Sequence, residues 1–171
     1  MSSNADVPAG NMPLGDSPQD NLPLGDLPLG STLPLGSTLP HVTDIPLNLL
    51  PGRLAVCWLP PEAPFPEWAR PGDLLALVQT HNETSVVCAE RFVPPEVKAE
   101  RGWRAFQVQG PLDFTVVGVL AAISAPLAQA GVSIYAQSTF ETDYVLVKEE
   151  SLERAIRALN QVGFLVNNPA R

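Results

Sequence analysis

The sequence predicts an α+β fold of the ferredoxin-like split βαβ type from Trp103 onward. Three observations predict it. Apolar residues alternate with period two at Trp103–Gln109, Val132–Gln137 and Asp143–Lys148. They recur with helical period over Val116–Ala130 and Leu152–Val162. The resulting order, β-α-β-β-α-β, puts both helices after strands, and therefore on one face of a mostly antiparallel sheet.

Each element follows from its residues. Trp103–Gln109 sets Phe106 and Val108 on one face and Gln107 and Gln109 on the other. Gly110-Pro111-Leu112-Asp113 breaks that strand. Val116, Leu120, Ile123, Leu127 and Ala130 then fall on one helix face, with Asp113 placed to cap its start and Gly131 its end. Pro126 lies inside this helix, forfeits the bond to the Ala122 carbonyl and is expected to bend it. Two strands follow. Leu152, Ala155, Ile156, Leu159 and Val162 mark a second amphipathic helix, supported by Glu150–Arg154 and Glu153–Arg157 spacings. Gly163 ends it, and Phe164–Val166 is a last short strand.

Residues 47–102 read as β-rich. Arg53–Leu59 is an apolar run between Pro51-Gly52 and Pro60-Pro61. Leu74–Thr80 and Ser85–Glu90 form two more runs, joined by the hairpin loop His81-Asn82-Glu83-Thr84. The proline-rich stretch 60–72 leaves room only for a short helix near Phe65–Arg70. Residues 1–46 differ in kind. They hold eight of the nineteen prolines, five acids, no Lys or Arg and no Phe, Tyr or Trp. Pro-Leu-Gly recurs at 13, 23, 28 and 34, and the composition predicts a disordered, repetitive tail.

Composition excludes several functions. Ten basic against eighteen acidic residues give a net charge of −8, which argues against a nucleic-acid partner. No apolar run is long enough to span a bilayer, and the N-terminus has no secretory h-region, so no membrane partner and a cytoplasmic location are expected. Cys57 and Cys88 sit in apolar strands as buried free thiols. His41 and His81 lack companions at metal-ligand spacing, and no phosphate loop or catalytic triad can be assembled. Neither a metal, a cofactor nor an enzymatic activity is expected.

The segments Gly110–Gly118, Ala125–Phe140 and Glu141–Val147, with their G-P-L-D-F, P-L-A-Q-A-G-V-S-I and S-T-F-E-T-D-Y-V-L-V runs, resemble the ACT domain. The resemblance is to the subclass found in aspartate-kinase regulatory regions, cytosolic arginine sensors and small stand-alone proteins, and it is strong from about Gln107 to Gly163. It implies a regulatory module that binds a free amino acid, with residues 103–167 as the ACT domain and 47–102 as a degenerate ACT-like unit before it. It also implies that Pro111–Thr115 and Ser138–Asp143 flank the ligand. An amino acid's carboxylate suits the N–H groups and positive dipole end of a helix start, here expected at Leu112, Asp113, Phe114 and Thr115. Its ammonium suits Asp143, with Ser138, Thr139 and Phe140 adding hydroxyls and an apolar wall. Glu141 either selects a basic side chain or points to solvent. Asp113 can equally serve only as a cap, and Phe140 only as core. A scaffold that has lost its ligand, or an accessory to an amino-acid-derived pathway, are the alternatives. ACT-like units pair side by side, so a homodimer is expected, with the Trp103 face as the surface to bury. A regulated enzyme or signalling protein is the expected downstream partner.

Overall fold

A computed structural model describes residues 42–168. The tail reading, with His41, lies outside the described residues up to position 41. Val42 to Pro46, on the tail side of the expected boundary, are part of the packed fold: Val42 is buried in the main core.

The described residues form eight strands and two α-helices. In order these are β1 (Leu47–Leu49), β2 (Leu54–Leu59), β3 (Ala76–Gln79), β4 (Thr84–Ala89), β5 (Ala99–Val108), α1 (Val119–Gln129), β6 (Ile134–Ser138), β7 (Asp143–Lys148), α2 (Leu152–Gln161) and β8 (Val166–Asn167). Short 3₁₀ turns occupy Glu67–Ala69, Glu90–Phe92 and Glu149–Ser151. From β5 onward the order is β-α-β-β-α-β, the ferredoxin-like ACT arrangement expected.

All eight strands join one sheet, organised around β5. Its first half pairs with β2, which carries β4 and then β3. Its second half pairs antiparallel with β7 on one side, with register Trp103↔Lys148 to Gln107↔Tyr144, and β7 carries β6. On the other side it pairs with β1 through Leu47↔Val108, and β1 carries β8 in parallel. β1 is not foreshadowed by any pattern of residues. Three residues cannot display a period, yet Leu47 and Leu49 are almost fully buried. Burial of each such leucine stabilises by about 1.5–3 kcal/mol.

The main core lies between this sheet and the helices: Phe106, Val108, Val145 and Val147 meet Ile123, Leu127, Ala155 and Leu159. The other face of the sheet corrects an expectation. Trp103 does not wait for a second copy. Trp103, Ala105 and Leu146 cluster with Leu54, Leu74 and Val87 of the first half of the same chain. Lys148 Nζ lies 4.5 Å over the Trp103 ring. A third, smaller core holds Ala55, Cys57, Val86 and Cys88 under Ala69 and Val93. The proline-rich loop and the segment after β4 thus cover the face that helices cover in the second half. Both cysteines are free and buried there. The hydrogen bond with Cys57, with burial, pushes the Cys88 thiol well up.

The first helix begins later than its periodicity suggests. It starts at Val119, not after Asp113. Gly118, at φ 86°, takes the left-handed conformation at the N-cap and ends the preceding irregular stretch. Val116 is therefore off the helix and exposed. Val119, Ile123, Pro126 and Leu127 form its buried stripe. In α2, Arg154 donates to Ser151 Oγ at 3.0 Å, not to Glu150 as its spacing suggested.

Candidate functional site

A cleft of about 420 Å³ opens on the helix side of the sheet, at the end where β6 and β7 turn. One wall is the irregular segment from Leu112 to Gly118 with the first turn of α1. The other is the β6–β7 hairpin from Ser138 to Asp143. Leu112, Asp113, Phe114, Ser138, Thr139, Phe140 and Asp143 all line it. Thr115 does not; its hydroxyl and N–H instead donate to Asp113 Oδ1 at 2.6 and 2.8 Å.

The walls are fastened to each other by backbone. Leu112 N–H donates to the Glu141 carbonyl at 2.8 Å. A Cβ on Gly110 would stand 2.8 Å from that same carbonyl oxygen and 3.2 Å from Thr142 Cβ, so only glycine permits this approach. Thr142, one of two buried polar residues among those described, donates its hydroxyl to the Val108 carbonyl at 2.5 Å. The hairpin turn is closed by Thr139, whose N–H and hydroxyl both donate to the Thr142 carbonyl at 2.8 and 2.9 Å. Thr142 N–H returns a bond to the Thr139 hydroxyl at 3.2 Å. Thr139 is thus spent on the turn and offers the cleft no free hydroxyl hydrogen.

Two features of opposite charge preference face this space. Asp143 heads β7 on the helix-facing side of the sheet, and its Oδ1 accepts a 2.5 Å bond from Ser138 Oγ, its cross-strand partner. The start of α1 lines the opposite wall through Gly118, Val119, Leu120 and Ala121. No side chain caps this helix, and its first intrahelical bond is Ala122 N–H to the Gly118 carbonyl. The amides of Val119, Leu120 and Ala121 therefore have no intrahelical partner. This corrects the expected position of the helix N-terminus, which lies at Val119–Ala121 and not at Leu112–Thr115. Asp113 is the acceptor of a local turn; the two bonds from Thr115 hold its carboxyl below the usual carboxylate range. The signal for the true start was Gly118, a glycine followed directly by an apolar helical run.

Phe114 and Phe140 form the rim. They are 76% and 81% exposed and meet edge to face with centroids 5.2 Å apart. Phe140 is therefore not core. The lining carries Asp113, Glu141 and Asp143 and no Lys, Arg or His. Among the described residues no group of three or more His, Cys, Asp and Glu is placed to hold a metal, and no helix is long and apolar enough to cross a membrane.

Comparison with known proteins agrees with this fold. A family model for the ACT domain matches residues 98–161, and a second, for an N-terminal domain, matches 52–96. A crystal structure of protein Atu0741 from Agobacterium tumefaciens superposes with a TM-score of 0.68 at 31% identity, covering 72% of this chain and 92% of that one. Human cytosolic arginine sensor for mTORC1 subunit 1 is 40% identical over 60 residues, 34% of this chain. That match spans only 18% of the sensor's length. Aspartate kinase from Synechocystis shares the fold at 18% identity and a TM-score of 0.55, over 75% of this chain and 28% of that one.

Proposed function

The chain belongs to the ACT-domain family, and from that premise we propose that it is a regulatory module binding a free amino acid in the cleft between the α1 start and the β6–β7 hairpin. One observation carries the reading: a carboxylate and an uncapped helix N-terminus line the same space. The amides of Val119–Ala121 and the helix dipole receive the ligand's α-carboxylate. Asp143, oriented by Ser138, receives its ammonium. Leu112, Phe114, Thr139 and Phe140 wall the side chain, and Asp113 and Thr115 hold the turn that carries Phe114. An acidic lining with no base favours a cationic side chain, the class that the human relative's name also indicates. No catalytic role is proposed, and residues 47–102 serve as the degenerate unit beside the ligand-binding 103–167. A cytoplasmic location and a regulated enzyme or signalling partner complete the proposal.

A thermal-shift panel of the twenty amino acids on the full chain, followed by calorimetry, tests it. A binder raises Tm by mass action; at a hundredfold excess over Kd the gain is about 2.7 kcal/mol. Asp143→Asn then weakens binding by about 10- to 100-fold, the worth of a charge-assisted bond. A flat panel on folded protein rejects the sensor and favours a ligand-free scaffold that uses the exposed Phe114–Phe140 rim to hold a protein partner. We further propose a homodimer. With the Trp103 face already covered, that rim, whose two rings are the most exposed large apolar side chains among the described residues, is the surface we propose the dimer buries. Sedimentation at micromolar concentration decides, and a monomer with ligand present excludes it.

A further inference from the structure

The first half contains a register-matched counterpart of the candidate site. In the second hairpin Ser138 faces Asp143 across β6 and β7; in the first, Gln79 faces Thr84 across β3 and β4. The turns between these pairs close alike. Thr80 N–H and hydroxyl both donate to the Glu83 carbonyl, and Glu83 N–H donates back to the Thr80 hydroxyl, as Thr139 and Thr142 do. Both following strands are six residues long and run straight into a three-residue 3₁₀ turn, Glu90–Phe92 and Glu149–Ser151. Thr84 shares its side of the sheet with Val86 and Cys88, as Asp143 shares its side with Val145 and Val147. Thr84 is thus the counterpart of Asp143, and Gln79 that of Ser138.

The two positions differ in what they face. Asp143 and Ser138 open on the cleft. Thr84 is buried, and both it and Gln79 donate to one acceptor, the Pro61 carbonyl, Thr84 at 3.3 Å. Pro61 belongs to the loop that replaces the first helix. With no helix there, no N-terminal turn is available for a carboxylate, and with threonine in place of aspartate no charge is available for an ammonium. The donors that remain are used by the chain itself.

We infer that the chain carries one ligand site, in its second half, and that the first-half counterpart is permanently filled by the Pro61 carbonyl. The stoichiometric part rests on the functional reading above; the filling does not. Calorimetry of the full chain with L-arginine, as the probe of the cationic class, is expected to give one site per chain, weakened about 10- to 100-fold by Asp143→Asn. Two sites per chain, or residual binding in Asp143→Asn that disappears on adding Gln79→Ala, overturns the inference. The filling has its own readout. Thr84→Val is expected to lower Tm by about 4 °C, with a smaller drop for Gln79→Ala, whereas Ser138→Ala, facing open cleft, melts like wild type. Should Thr84→Val not fold, Gln79→Ala alone decides. Wild-type melting of the Gln79 and Thr84 variants overturns the filling. Absence of binding to any amino acid removes the sensor reading and leaves the melting comparison to judge the filling.

Discussion

Gly110 is the residue on which the two walls of the cleft depend most directly. Its missing side chain allows Glu141 and Leu112 to bond across the gap. Gly110→Ala forces backbone against backbone, which no rotamer relieves. The expected cost is about 1–3 kcal/mol, read as a fall in Cm under urea, with loss of ligand response in the same variant. Asp113 invites a different test. Its carboxyl is held below the usual range by Thr115, so the folded group ionises more readily than the unfolded one. A depressed pKa means that the turn's contribution is complete above the unfolded value, about 3.9, and is lost as the pH falls through the lower folded value. The Thr115 amide, followed by NMR between pH 6 and 2, is expected to hold its shift until that acid range. A midpoint at or above 4 sinks the assignment.

At the scale of the element, α1 shows what a periodic pattern can hide. Val116, Leu120, Ile123 and Leu127 are spaced as one helix face, and the pattern alone runs the helix back to Asp113. Gly118 overrides it, because a left-handed residue cannot lie within an α-helix. Gly118→Ala should strain this start by about 1–2 kcal/mol and weaken ligand binding more than it lowers Tm, since the three free amides are re-aimed. Equal affinity in that variant and the wild type would exclude the helix start as the carboxylate site. The strands were more legible. β7 begins and ends where the alternation places it, because its residues alternate between two buried faces with a charged residue at each end. Ser138 and Asp143 were singled out through the ACT resemblance, but their pairing across β6 and β7 was not legible, because the alternation carried β6 only to Gln137. Thr139 lines the cleft, but its hydroxyl serves the hairpin turn, a partnership set by turn geometry that a sequence does not display. β1 was invisible for want of length.

For the whole molecule, the folded unit is larger than the segment that carries the βαββαβ order. The segment from Trp103 looks self-contained in sequence, with all six elements of its fold in order. The structure inserts β1 between β5 and β8 and lays the first half over Trp103. Expressed alone, residues 103–171 should therefore lack cooperative unfolding, while 42–171 keeps it; circular dichroism on heating separates the two outcomes. A fully cooperative 103–171 fragment would show that β1 and the Trp103 cover are dispensable.

The pairing of β1 with β8 has a consequence for synthesis. Asn48 and Asn167, 119 residues apart, share a 2.8 Å bond between side chains. A ribosome releases the chain from one end, so Leu47 and Leu49 leave the exit tunnel long before the strand that flanks them. Until residue 167 follows, β1 has an open edge and can pair with any strand that passes. Nascent protein is thus most exposed to aggregation in the seconds before Val166 and Asn167 emerge, and a chain cut short before Val166 would keep that edge open.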